Sequence, residues 1–120
     1  MTTRYAKCLS ITDLYVRNCR WKNQASLFAD DRGRQYTGAQ ALERSLRFAA
    51  ALRGAGLAPG DVVAFLCAGS ATHIVAWFGA LAGGFVASGL HTRTDSPARV
   101  ADTLRWLGAT VLVHLSLIHI

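Results

Sequence analysis

The sequence predicts an α/β fold: an N-terminal helix and a short hairpin, followed by β-α-β-α-β with a parallel sheet. Three observations predict it. From Val62 onward, short apolar runs alternate with stretches of helical period, and such alternation gives right-handed crossovers between parallel strands. The strand starts at Val62, Phe85 and Thr110 are 23 and 25 residues apart, enough for one crossover helix each. Residues 62–90 contain no Asp, Glu, Lys or Arg, as expected of parallel strands buried on both faces.

The elements follow in order. Ile11, Leu14, Tyr15 and Cys19 recur at helical spacing, with Ser10 or Thr12 as cap. Leu27-Phe28-Ala29 reads as a short strand, Asp30-Asp31-Arg32-Gly33 as a turn, and Arg34-Gln35-Tyr36 as the returning strand. Thr37 followed by Gln40 is a capping box. The helix it opens should turn Leu42, Leu46, Ala49 and Ala50 inward and stop at Gly54-Ala55-Gly56, where glycine suits a left-handed cap. Ala58-Pro59-Gly60-Asp61 is a tight turn into strand 62–66. Ser70 caps a helix over 71–82, which Gly83-Gly84 ends, and 85–88 is the next strand. Ser96-Pro97 starts another helix, with Pro at the first helical position. Its stripe is Val100, Leu104 and Leu107, its stop is Gly108, and 110–113 is the last strand.

Composition narrows the classes. The 120 residues, 52% apolar and 17% charged, give one domain with a modest core and exclude a disordered chain. Cys8, Cys19 and Cys67 are an odd number with no CxxC, which argues for a reducing, cytoplasmic setting without disulfides. Thirteen basic residues against seven acidic give +6. Ten of the thirteen lie between Arg4 and Arg53, but scattered, and nucleic-acid recognition needs a patch rather than a sum. No nucleic-acid partner is therefore expected. The first ten residues lack the apolar core of a secretory signal. The uncharged stretch leaves a second reading, a small membrane protein spanning once over 74–90. A peripheral membrane contact stays open as well.

The run from Tyr36-Thr37 through a helix to Leu52-Arg53-Gly54-Ala55-Gly56-Leu57-Ala58-Pro59-Gly60-Asp61-Val62-Val63-Ala64 resembles the N-terminal region of acyl-adenylate-forming enzymes. These are the AMP-dependent synthetases and ligases, acyl-CoA synthetases among them. Gly79-Ala80-Leu81-Ala82-Gly83-Gly84-Phe85 is similar to that family's "GALKAGA". Pro97 to Val113 matches its "P-E-E-L-x-x-x-L-x-x-S-G-A-x-V-L-V" without a gap. The likeness runs from about Ile11 to Val113. Gly38-Ala39-Gln40 departs from the family's "EL" after "TY", Gly69 replaces the Asn before Ser70, and the usual Pro after "GA" is absent.

The resemblance implies an N-terminal portion of the large domain of a ligase. Such an enzyme activates a carboxylic acid with ATP and Mg2+ to an acyl-adenylate, then transfers the acyl group to CoA, as in fatty acid metabolism. The family's Ser/Thr/Gly-rich phosphate loop, acidic ribose-binding residue and C-terminal Lys do not appear in the sequence. Adenylation needs donors and a cation around the phosphates, so no catalytic residue is assigned and the chain alone is expected to be inactive. Its partner would be the remainder of its own polypeptide. A free-standing α/β module for a phosphate-bearing ligand is the other open reading.

The last six residues, Leu115-Ser116-Leu117-Ile118-His119-Ile120, translate CTG TCT CTT ATA CAC ATC. That string resembles the mosaic-end adapter of transposase-based sequencing libraries. The expected organisation is 1–114 as a partial adenylate-forming domain and 115–120 as adapter read-through. His114 and His119 then need no metal-site explanation. Two other residues are weighed for chemistry. His73, at a helix start on an apolar segment, reads as a packed structural histidine. Arg93 follows the strand 85–88, where open α/β sheets line their ligand crevice. It matches the Arg of the family's "N-x-R-L" segment, and the resemblance implies a CoA phosphate contact, to which a forked guanidinium is suited; the alternative is a surface Arg in a loop. An incomplete sheet exposes apolar edges, so poor expression or aggregation is expected.

Overall fold

A computed structural model describes residues 10–67, 69–90 and 96–114. Helix α1 (Ile11–Trp21) starts at Ser10, whose Oγ accepts the Asp13 N–H at 3.1 Å. It buries Tyr15 and Cys19, while Ile11 and Leu14 stay largely exposed. Strands β1 (Ser26–Ala29) and β2 (Gln35–Thr37) pair antiparallel around a turn in which Gly33 has φ +83°.

Helix α2 (Gly38–Gly54) opens with the expected capping box: the Gln40 N–H donates to Thr37 Oγ1 and the Thr37 N–H to Gln40 Oε1. Gly38 is required here. A Cβ on it would run into the Cys19 and Lys22 carbonyl oxygens, and its N–H reaches the Lys22 and Ala25 carbonyls. Leu57 returns after Gly56, at φ +98°, to bond the Leu52 carbonyl at 3.2 Å.

The inner face of α2 differs from the expected one. Ala41, Ser45, Ala49 and Leu52 are buried, whereas Leu46 is 50% exposed and Ala50 lies outside. The reason is the neighbour. Helix α3 (Ala71–Ala82) crosses α2 at Gly79, where a Cβ would stand 2.6 Å from the Ser45 carbonyl oxygen. Only small side chains fit so close a crossing, and leucine is pushed to the rim.

Strand β3 (Val62–Leu66) is central in a three-stranded parallel sheet of order β4-β3-β5, with β4 (Val86–Gly89) and β5 (Ala109–His114) on its flanks. Val63 lies opposite Ala87 on one side and Val111 on the other. Val63, Phe65 and Cys67 pack with Leu52, Leu57, Ala80 and Phe85 as the main core. A second cluster, Tyr15, Cys19, Ala41 and Val75, ties α1 to α2 and α3, with the Tyr15 and Phe78 rings stacked at 4.2 Å.

Helix α4 (Pro97–Leu107) is capped by Ser96 and stopped by left-handed Gly108 at φ +65°, as the sequence predicts. None of its residues is buried; Val100, Leu104 and Leu107 are half-covered. The uncharged stretch 62–90 is thus divided into β3, a 12-residue helix and β4. Among the described residues, no helix is long and apolar enough to cross a membrane, and 74–90, the segment of the membrane reading, holds most of α3 and all of β4.

Candidate functional site

The strand order fixes where a ligand crevice lies. The β3-α3-β4 connection moves one strand to one side, and the β4-α4-β5 connection moves back across β3. Right-handed crossovers in opposite directions place α3 and α4 on opposite faces of the sheet. The carboxyl ends of β3 and β5 are therefore a topological switch point, the place where open α/β sheets bind ligands. Cys67 and Ser70 come to it from β3 and His114 from β5, with the Cys67 thiol 3.6 Å from the Val113 carbonyl. On the other side of β3 the Leu90 N–H donates to the Phe65 carbonyl at 2.8 Å and holds the ends of β3 and β4 together. Arg93, three positions further along, lies outside the described residues, as do His91, Thr92 and the segment 115–120.

The amino end of α3 faces this crevice and is already filled. Ser70 Oγ accepts the His73 N–H, and Asp30 Oδ2 accepts the Ala71 N–H at 3.1 Å. Asp30 Oδ1 takes the N–H groups of Arg32 and Arg34. The Ala71 N–H first, and then those of Arg32 and Arg34, hold the Asp30 carboxyl below the usual carboxylate range. A carboxylate thus occupies the positive end of the helix, where a phosphate would otherwise sit. Sequence reading treats Asp30 as a turn residue only. Its bond to a helix 41 positions away has no local signal.

His73 is packed, as expected. Its ring lies 5.6 Å from Phe65 and edge-on to Trp77 at 6.0 Å. Nε2 is buried without a hydrogen-bond partner among the described residues, and burial lowers its pKa from 6.5. Among the described residues no partner that would make it a general base hydrogen-bonds Nε2.

Gly83-Gly84 lies at the amino end of β4, the far end of the sheet from the crevice. A Cβ on Gly83 would press to 2.5 Å from the Phe85 ring, and Gly84 has φ +84°. The pair ends α3 and lets Phe85 into the core; it is not a phosphate cradle. Among the described residues no set of three His, Cys, Asp or Glu side chains could hold a metal ion. The described residues therefore do not fit a triphosphate with its magnesium, and no catalytic step is derived through them.

Residues 16–119 match the model of a family described as AMP-binding enzyme. The chain belongs to this family. Its fold is also that of solved members of the adenylate-forming group. The fatty acid AMP ligase from Legionella pneumophila superposes with a TM-score of 0.81 at 18% identity, over 97% of this chain and 21% of that one. The NpsA N-terminal subdomain from Klebsiella oxytoca, in complex with 3-hydroxyanthranilyl-AMSN, gives 0.79 at 18% identity, over 92% of this chain and 28% of that one. The nonribosomal peptide synthetase FmoA3, bound to α-methyl-L-serine-AMP, gives 0.80 at 23% identity, over 88% and 12%. The chain thus spans between 12% and 28% of these three proteins. No curated protein matches its sequence.

Proposed function

We propose that this chain is the N-terminal part of the large domain of a ligase that joins a carboxylic acid to AMP, using ATP and releasing pyrophosphate, and then passes the acyl group to CoA. The observation that carries the proposal is the family match over residues 16–119, laid on a β-α-β-α-β sheet of order β4-β3-β5. Two of the similar structures hold an adenylate or an adenylate-like ligand, which supports adenylation as the first step. The fatty acid AMP ligase among them supports an acyl substrate.

The role of this chain in that enzyme is structural. It supplies sheet, helices and one wall of the crevice. With Asp30 on the end of α3 and no phosphate cradle among the described residues, the chain by itself is inactive. Mg2+ and the donors for the phosphates come from the remainder of the polypeptide. Arg93 contributes a contact to the CoA phosphates, for which a planar fork of donors is suited.

Two measurements test this reading. In the longer enzyme, Arg93→Ala raises the KM for CoA and leaves acid-dependent pyrophosphate release unchanged; an unaltered KM removes Arg93 from the site. Calorimetric titration of the 120-residue chain with ATP gives no heat of binding. Micromolar binding would instead favour a free-standing module for phosphate-bearing ligands.

A further inference from the structure

A cavity of about 270 Å³ opens between α2 and α3 and takes no residue from the β4-β3-β5 sheet. Helical spacing builds its two walls. Arg44, Arg47 and Phe48 stand at i, i+3 and i+4 on α2, and Thr72, Val75 and Ala76 stand at the same spacing on α3. Tyr36, from β2, completes the lining.

The polar groups of the cavity are fixed in place and keep donors to spare. The Tyr36 and Thr72 hydroxyls lie 2.9 Å apart, which ties β2 to α3 and holds the Tyr36 ring. Two hydroxyls carry two protons and use one between them. Among the described residues no other partner takes the second. The Arg44 guanidinium lies over the same ring, 5.4 Å from its centroid. Such a contact uses the face of a guanidinium and leaves the N–H groups on its edge unspent. Among the described residues no carboxylate pairs with Arg44. Arg47 meets Glu43 at 3.4 Å, but both side chains are well exposed, and so exposed a pair holds its members weakly.

The rest of the lining is apolar. Phe48, Val75 and Ala76 offer hydrocarbon that an inorganic anion would leave bare. Ligand pockets usually hold about 300–1,000 Å³, so this one suits a body the size of a single ring rather than a nucleotide.

We propose that the cavity between α2 and α3 binds a small monocarboxylate with a compact apolar or aromatic body. The carboxylate sits between the Arg44 and Arg47 guanidinium groups and accepts the hydroxyl proton that the Tyr36–Thr72 pair leaves over. The body rests on Phe48, Val75 and Ala76. Arg47 exchanges Glu43 for the ligand, and the +6 charge of the chain favours the approach of an anion. Binding of this kind needs only residues 36–76 and does not depend on an adenylation step.

Titration of the 120-residue chain with benzoate, followed by amide NMR shifts, tests this. Saturable shifts are expected at Arg44, Arg47, Thr72 and Ala76. Benzamide has the body without the charge and inorganic phosphate the charge without the body; each should bind about tenfold more weakly. Arg44→Gln should weaken benzoate by a similar factor. Glu43→Gln should tighten it about twofold by releasing Arg47. Arg17→Gln removes an equal charge from the exposed side of α1 and should change nothing. The exchanged side chains are all exposed, so thermal melts should stay those of the parent. Absence of saturable shifts at millimolar benzoate overturns the proposal, as does an affinity that Arg44→Gln leaves unchanged. Phosphate binding as tightly as benzoate, or Arg17→Gln weakening it as much as Arg44→Gln, overturns it equally, since either would mean attraction by charge alone.

Discussion

Replacing Gly79 with alanine probes the crossing of α2 and α3, on which both core clusters depend. Gly79 lies in the interior of α3, where alanine is ordinarily the better residue by about 1 kcal/mol. The crossing reverses that preference. A Cβ at Gly79 would stand 2.6 Å from the Ser45 carbonyl oxygen and 3.1 Å from the Phe48 ring. The ring can turn aside, but the carbonyl belongs to the backbone of α2, so the two helices must part. Forcing extra volume into a packed contact costs about 1–3 kcal/mol. The Ser45 hydroxyl bonds the Val75 carbonyl at 2.7 Å across the same contact, and stretching that bond forfeits about 1 kcal/mol more. Net of the propensity gain, Gly79→Ala should lose about 1–3 kcal/mol. Gly54→Ala is the control. That residue closes α2 with nothing within 4 Å of a Cβ, and the substitution should gain roughly 0.5 kcal/mol. Urea midpoints at constant slope would read both variants. Shifts of opposite sign support the close crossing. Equal shifts, or a more stable Gly79→Ala, would refute it.

Other expectations concern buried polar groups. The Ser45 hydroxyl donates to the Val75 carbonyl and so accepts from the Tyr15 hydroxyl, 2.7 Å away; burial pushes the Tyr15 pKa up. Ser45→Ala takes one hydrogen bond from each of two buried partners and should cost about 1–3 kcal/mol by urea denaturation, whereas Tyr15→Phe should cost about 1 kcal/mol. His73 titrates below its ordinary 6.5 because it is buried, so below that pH the unfolded chain binds more protons than the folded one. Stability should therefore fall as pH drops through 6.5, and His73→Phe should flatten that slope in thermal melts; a slope unchanged in the variant would place its origin elsewhere. The Asp30 pKa is lowered, so its contribution is present above the usual carboxylate range and is lost as acid protonates it. Asp30→Asn should therefore weaken the chain at neutral pH and bring it level with the parent in strong acid.

Most of the fold was legible because local chemistry and global topology agree. Thr37 with Gln40, Ser70, Ser96-Pro97 and Gly108 are caps that act within four residues, and each starts or stops a helix where the sequence predicts. Strand β3 reads as an unbroken apolar run because it is buried on both faces, whereas β4 and β5 beside it are only half-covered. What escaped was contact at long range. Counting apolar residues turns Leu46 inward, yet Ser45 is buried and Leu46 is not, because Gly79 of the opposing helix sets the spacing. Asp30 reads in the sequence as half of a turn, and its second role depends on α3 arriving beside it. The crevice is located by the strand order β4-β3-β5, which the alternation of strands and helices does not fix. Its phosphate-binding chemistry was not legible either, since the described residues hold none.

The most direct test of membership in an acid-activating ligase is to read the source gene past codon 114, express the longer product and assay it. The prediction is that the frame continues into a Ser/Thr/Gly-rich loop closing on Lys, and that the product exchanges pyrophosphate into ATP only when a carboxylic acid is present. A stop codon directly after Ile120 in genomic DNA, or a longer product with no acid-dependent exchange across short, long and aromatic acids, would contradict it.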